Sequence, residues 1–309
     1  MLKKIKIFIA PAITLLALYI IFKNLDISSV VEIVKNSDKS ILIISSALTL
    51  MMVIFFLSLR LKETMAILGC NLKYKEILKI YLAILPASKL SPANAGDFIR
   101  SYYFKDKVSP SIMTGTVFFE RLIDILVISA MAIISGVIIQ SKLSFLLGGF
   151  GLLASLVFFF LFKKSFFLKN KIIGKEWKIF DKLSKLSIVF NSSMKNKKVF
   201  LKIFLYTFLN WLSVMFYIAL IFYALGSKVS ILSITAFQPI VSYASFVPIT
   251  VSGIGARESV MLFLYGNMVP APTILSAGLI FSLFTAFLMP LTGLPLMHKI
   301  IKKKQNGQQ

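Results

Sequence analysis

The chain has 309 residues, of which 58% are hydrophobic and 13% aromatic, and its mean hydropathy of +0.86 excludes an ordinary soluble domain. Its 35 Lys and Arg residues against 12 Asp and Glu give a formal charge of +23, which in a soluble protein would point to nucleic acid. Here the lysines gather in particular connections between apolar runs, so the excess reads as membrane topology instead.

Lys3, Lys4 and Lys6 precede the first apolar window, Ile5–Phe22. Lys23, Asn24 and Asp26 follow it and leave no small-residue cleavage site, which predicts a retained span rather than a removed signal peptide. Further windows of the roughly 20 residues needed to cross a hydrocarbon core are Ile41–Leu59, Leu143–Phe162, Val199–Leu225 and Thr273–Leu296. A sixth, Leu122–Ile139, continues a helix that begins near Ser111. The chain therefore reads as one all-α, polytopic membrane domain over 1–309. Residues 1–162 form an N-terminal half, 163–198 a basic loop, 199–298 a C-terminal half and 299–309 a basic tail.

Residues 163–198 carry eleven lysines against Glu176 and Asp181, and more lysines lie at Lys73–Lys79 and Lys299–Lys304. The positive-inside pattern puts these segments, and both termini, in the cytoplasm of a plasma-membrane protein. Arg60–Lys79 falls inside with them, and the connection at Lys228 falls outside. Trp177, Phe180, Leu183, Leu186 and Phe190 form an apolar helical stripe that fits either an anionic lipid surface or a solvated loop. The basic loop is not expected to bind nucleic acid, because it lacks spaced aromatic platforms for bases.

Two polar runs interrupt this pattern: SKLSPANAGDFIRSYYFKDK at 88–107 and PITVSGIGARE at 248–258. Ile77–Leu85 is too short to cross, and basic residues flank it on both sides. A re-entrant hairpin near 77–107 satisfies this on the cytoplasmic face, and one near 231–265 on the outer face. About six crossings plus two hairpins result; eight spans stay open if the hairpin arms run longer. The echo between VSPSIMTG at 108–115 and VPAPTILS at 269–276, each following a break, suggests an inverted repeat.

Polar backbone at membrane depth is tolerated only inside protein or around a water-filled cavity. Of the four arginines among the 35 basic residues, Arg100, Arg121 and Arg257 lie in or beside the breaks, and Arg60 does not. Asp97, Glu120, Asp124 and Glu258 join them. On a helix Glu120 and Asp124 share a face, and Arg121 reaches Asp124 at the i,i+3 spacing. Arginine offers a planar fork of donors suited to phosphate or carboxylate, and buried ionisable groups at this depth are functional candidates by default. Gly253 and Gly255 would present backbone N–H groups to an anion at a helix start. The alternative use of these charges is to pair with one another and lock the hairpins.

The segments SPANAGDFIRSYYF, FFERLIDIL and VPITVSGIGARESV resemble the membrane region of lysylphosphatidylglycerol synthases and the related flippase-like family. Pro92, Gly96, Asp97 and Arg100 match its first motif, and Glu120, Arg121 and Asp124 its second. Pro248, Gly253, Gly255, Arg257 and Glu258 match its third, with Ser252 where a glycine is common. The resemblance implies that these thirteen residues bind substrate and that the chain moves a phospholipid or a polyprenyl-phosphate-linked lipid across the membrane. The expected partner is a lipid with an anionic head group or lipid-linked phosphate, with a lipid-modifying enzyme or glycosyltransferase beside it. Two alternatives are lipid modification of the phosphatidylglycerol lysyltransferase type and a non-catalytic scaffold. Lysyl transfer by this chain is not expected, because no soluble transferase domain is seen after Lys302. A single cysteine (Cys70) and a single histidine (His298) give no reason to expect a metal or cofactor.

Overall fold

The computed structural model describes residues 27–171, 178–246, 250 and 253–305. The expected span Ile5–Phe22, and Pro248 and Ser252 of the expected site, lie outside them. Among the described residues the regular structure is helical, with no strand. Five helices are long and apolar enough to cross a membrane: Lys39–Ile67, Pro110–Ile138, Lys142–Leu161, Lys197–Ala224 and Ala271–Lys299. They coincide with the five expected spans after the first.

A short helix, α1 (Ile27–Asn36), precedes the first described span, α2 (Lys39–Ile67), whose N-cap Asp38 accepts from the Ile41 N–H at 3.0 Å. Helix α2 shows why these helices belong in lipid. Its buried face carries Ser45, Thr49, Ser58, Arg60 and Thr64, while Ile43, Leu48, Met51 and Phe55 are exposed. Lipid tails are as apolar as leucine, so the outer face needs no polar residue and the polar groups collect between helices.

Helix α3 (Tyr74–Lys89) has 16 residues, longer than the expected Ile77–Leu85 yet short of a crossing. The chain then turns back through a 3-10 helix (Pro92–Ile99) and the single turn α4 (Arg100–Tyr103). Gly96 makes that return possible. A Cβ on it would sit 1.8 Å from the Ala87 carbonyl oxygen of α3, so only glycine lets the two backbones approach so closely.

Helices α5 (Pro110–Ile138) and α6 (Lys142–Lys171) follow as neighbours. Helix α7 (Lys178–Lys195) docks on both. Phe190 is fully buried there, with ring centroids 5.2 Å from Phe119 and 5.5 Å from Phe159. This corrects both readings of the basic loop's stripe at that residue: Phe190 faces neither lipid nor water but the protein interior. The side chains of Trp177, Phe180, Leu183 and Leu186 lie outside the description.

The second half comprises α8 (Lys197–Ala224), the hairpin α9 (Ile231–Phe246) and α10 (Ala256–Tyr265), and a last span in two parts. These are α11 (Ala271–Leu283) and α12 (Met289–Gln305), joined by a π-helical turn at Phe284–Leu288. Such a turn inside a long helix re-aims side chains and recurs at functional sites.

The packing is reciprocal. Helix α3 of the first hairpin packs along α12, and α9 of the second packs along α5. Helices α2 and α8, the equivalent members of the two halves, pack against each other, with Ser46 and Tyr217 hydroxyls 2.8 Å apart. The echoing segments start helices at the same register: α5 begins at Pro110 and α11 at Ala271, two residues after the aligned Val108 and Val269. Each half thus covers the other's hairpin.

Candidate functional site

Four spans lend their middle residues to one cavity of about 130 Å³. Val53 is the central residue of Lys39–Ile67, Asp124 of Pro110–Ile138 and Thr285 of Ala271–Lys299, while Asn210 and Trp211 are the central pair of Lys197–Ala224. All five line it. The cavity therefore sits half-way along the bundle, where the two hairpins meet.

Its first wall is an ion network. Arg100 in α4 donates to Glu120 at 2.7 Å and lies 3.8 Å from Asp97. Arg60 of α2 reaches the same Glu120 oxygen at 3.2 Å and Asp124 at 2.7 Å. Arg121 pairs with Asp97 and lies 3.8 Å from Asp124, as the i,i+3 spacing predicts. The Trp211 indole N–H donates to Asp124 at 3.0 Å. Saturation is incomplete: the Nε donors of Arg60 and Arg100 are buried without a hydrogen-bond partner, as is Asn210 Oδ1. Buried polar groups left in this state call for a water or a ligand.

The second wall repeats the arrangement in another chemistry. Arg100 meets Glu120, the eleventh residue of the helix after its hairpin. Arg257 lies over the ring of Phe281, the eleventh residue from the start of α11, at 4.6 Å. It also donates to Ser282 at 3.3 Å and to Thr285 at 3.4 Å, the positions equivalent to Arg121 and Asp124. Where the first half places Glu, Arg and Asp, the second places Phe, Ser and Thr.

A family model for the lysylphosphatidylglycerol synthase transmembrane region matches residues 7–293. The chain belongs to that family. Among curated proteins none matches the sequence.

In this family member the described site residues take different places. Asp97, Arg100, Arg121, Asp124 and Arg257 line the cavity, and Glu120 lies behind its wall, bridging Arg60 and Arg100. Gly96, Gly253 and Gly255 shape the breaks, the last two with φ of +78° and +86°. Pro92 opens the 3-10 helix. Glu258 takes a different role: it accepts from the Gly255 N–H at 2.6 Å and from the Ser282 hydroxyl at 2.6 Å. The helix start at Gly255 is thus capped by the chain's own carboxylate, which corrects the expectation that this N–H faces an external anion.

Arg60 corrects another expectation. It does not begin an exposed segment over Arg60–Lys79 but is buried, 5% exposed, inside α2. Its residue type was the available signal, since arginine is rare in this lysine-rich chain. Lys89, Asn210, Trp211 and Ser245 also line the cavity, and nothing in their local sequence marks them.

Proposed function

We propose that the protein is a lipid translocase. It binds the phosphate-bearing head of a phospholipid or polyprenyl-phosphate-linked lipid in the central cavity while the tails stay in the bilayer. Family membership supports the coarser statement, a function concerned with membrane lipid. The observation that carries the finer one is the cavity itself: polar, at mid-depth, and reached by one arginine from each hairpin, Arg100 and Arg257. Such a site, where opposed broken helices meet, suits alternating access from the two faces.

The test is Arg257→Lys at equal membrane abundance, read by movement of fluorescent lipids in reconstituted vesicles. A lysine keeps the charge but loses the planar fork that grips phosphate at two points. Transport is expected to fall about tenfold or more, the loss of one good charge-assisted contact, and further with Arg257→Ala. Unchanged transport with lysine would remove the phosphate role from Arg257.

A further inference from the structure

The geometry points to a terminal phosphate monoester as the group this cavity selects, and to exclusion of the cationic aminoacyl lipids for which the family is named. The inference rests on the translocase reading for its setting, but it concerns binding, which can be measured without transport.

Charge is the first observation. Among the described residues the cavity wall carries Arg60, Lys89, Arg100, Arg121 and Arg257 against Asp97 and Asp124, an excess of 5 − 2 = 3. Adding Glu120 and Glu258, which lie behind the wall, leaves 5 − 4 = 1. A phosphate monoester carries roughly −1.5 to −2 near neutral pH and falls between these limits. A phosphodiester such as phosphatidylglycerol carries a single negative charge, and lysylation of that lipid makes it a net cation. A net cation entering a buried site already in positive excess would add repulsion where water cannot screen it.

The excess has a structural origin. Glu120 and Asp124 of α5 have Phe281 and Thr285 as counterparts in the last span, so the last span adds no carboxylate at those two positions.

Size is the second observation. A cavity of about 150 Å³ holds a benzene-sized group, and this one measures about 130 Å³. A phosphate has fewer heavy atoms than benzene and fits, with little room left beside it for a further glycerol or lysyl head-group extension. The third is the residue type of the wall: Arg60, Arg100, Arg121 and Arg257 all line it, and the guanidinium fork suits phosphate oxygens. Val53, Leu57, Val214 and Phe284 add apolar surface beside the polar groups, which favours a lipid source over free phosphate.

The test is equilibrium binding to the purified full-length chain in detergent, followed by native mass spectrometry. Ligands are phosphatidic acid, dodecyl phosphate, phosphatidylglycerol, lysylphosphatidylglycerol and inorganic phosphate. The two lipid or alkyl monoesters are expected to bind at least tenfold more tightly than phosphatidylglycerol, with no measurable lysylphosphatidylglycerol binding. Inorganic phosphate that binds as tightly as the alkyl monoester would support monoester selection and make free phosphate the source. Phe281→Glu, which rebuilds the carboxylate of the first half, is expected to erase the preference. Arg257→Gln removes the same net charge by a smaller change and is expected to shrink it severalfold, while Lys202→Gln at an outlying pair leaves it unaltered. Equal binding of phosphatidylglycerol and phosphatidic acid, or tight binding of the lysyl lipid, would overturn the inference. Selective binding without lipid movement would instead sink the translocase reading and leave the binding selectivity standing.

Discussion

Glu120 shows what a single buried carboxylate does in this protein. One of its oxygens accepts from both Arg60 and Arg100, two side chains from different elements that are 6% and 4% exposed. Removing one charge from a desolvated cluster leaves its partners uncompensated, at a cost of about 3–5 kcal/mol. Glu120→Gln is therefore expected to lower stability by about 3 kcal/mol in a detergent unfolding titration. The exposed pair Lys202–Glu63, at 3.3 Å with Lys202 54% exposed, supplies the contrast. Lys202→Gln is expected to change stability by less than about 1 kcal/mol. Arg257 differs from Arg100 in kind, because its described contacts are hydroxyls and a ring face rather than a carboxylate of the adjoining span. The charges of the first half are thus paired with one another, while the Nε donors of Arg60 and Arg100 are buried without a partner.

At the scale of elements, each break is made by glycine for a separate reason. Gly96 permits backbone contact, and Gly253 and Gly255 supply left-handed turns ahead of α10. Gly96→Ala is expected to displace the 3-10 segment from α3, because the added carbon would meet the fixed Ala87 carbonyl at 1.8 Å and no rotamer relieves it. Size-exclusion chromatography of the solubilised protein should show most of the folded peak lost. Gly149→Ala in α6, where a Cβ would meet nothing within 4 Å, should leave that peak intact. The two hairpins differ in how they close: the first brings Arg100 onto a helix of its own half through an ion pair, the second caps its return helix with Glu258.

At the scale of the molecule, the halves are interlocked by exchange. Helix α3 lies on α12 so closely that a Cβ at Gly293 would come within 2.0 Å of the Leu82 carbonyl oxygen, and α9 is tied to α5 by Ser129–Tyr243 and Ser135–Thr235 hydroxyl contacts of 2.6 and 2.7 Å. The lysine distribution predicts which ends of these spans face the cytoplasm. With Cys70 replaced, single cysteines at Lys75 and Lys195 are expected to react with impermeant reagent only from the cytoplasmic side, and one at Lys228 only from outside. Labelling of residue 228 from inside would break the inverted arrangement.

The sequence by itself determined the class of the protein, the five described spans and the positions of both breaks. These follow from local quantities: apolar run length against bilayer thickness, lysine placement, and glycine beside arginine. It also carried the i,i+3 contact of Arg121 with Asp124, since one helix sets both residues. Only the tertiary structure decided what those charges face. Arg60 and Glu120 are separated by 60 residues, and Arg257 and Thr285 by 28, so no local pattern links them. The capture of the Gly255 N–H by Glu258 depended on how the turn closed, and the burial of Phe190 on α7 docking against α5 and α6. The π turn in the last span was equally hidden, because its composition is that of any apolar helix. In lipid, apolar surface fixes which segments enter the membrane, but packing and polar satisfaction between helices fix how they meet, and those depend on partners far along the chain.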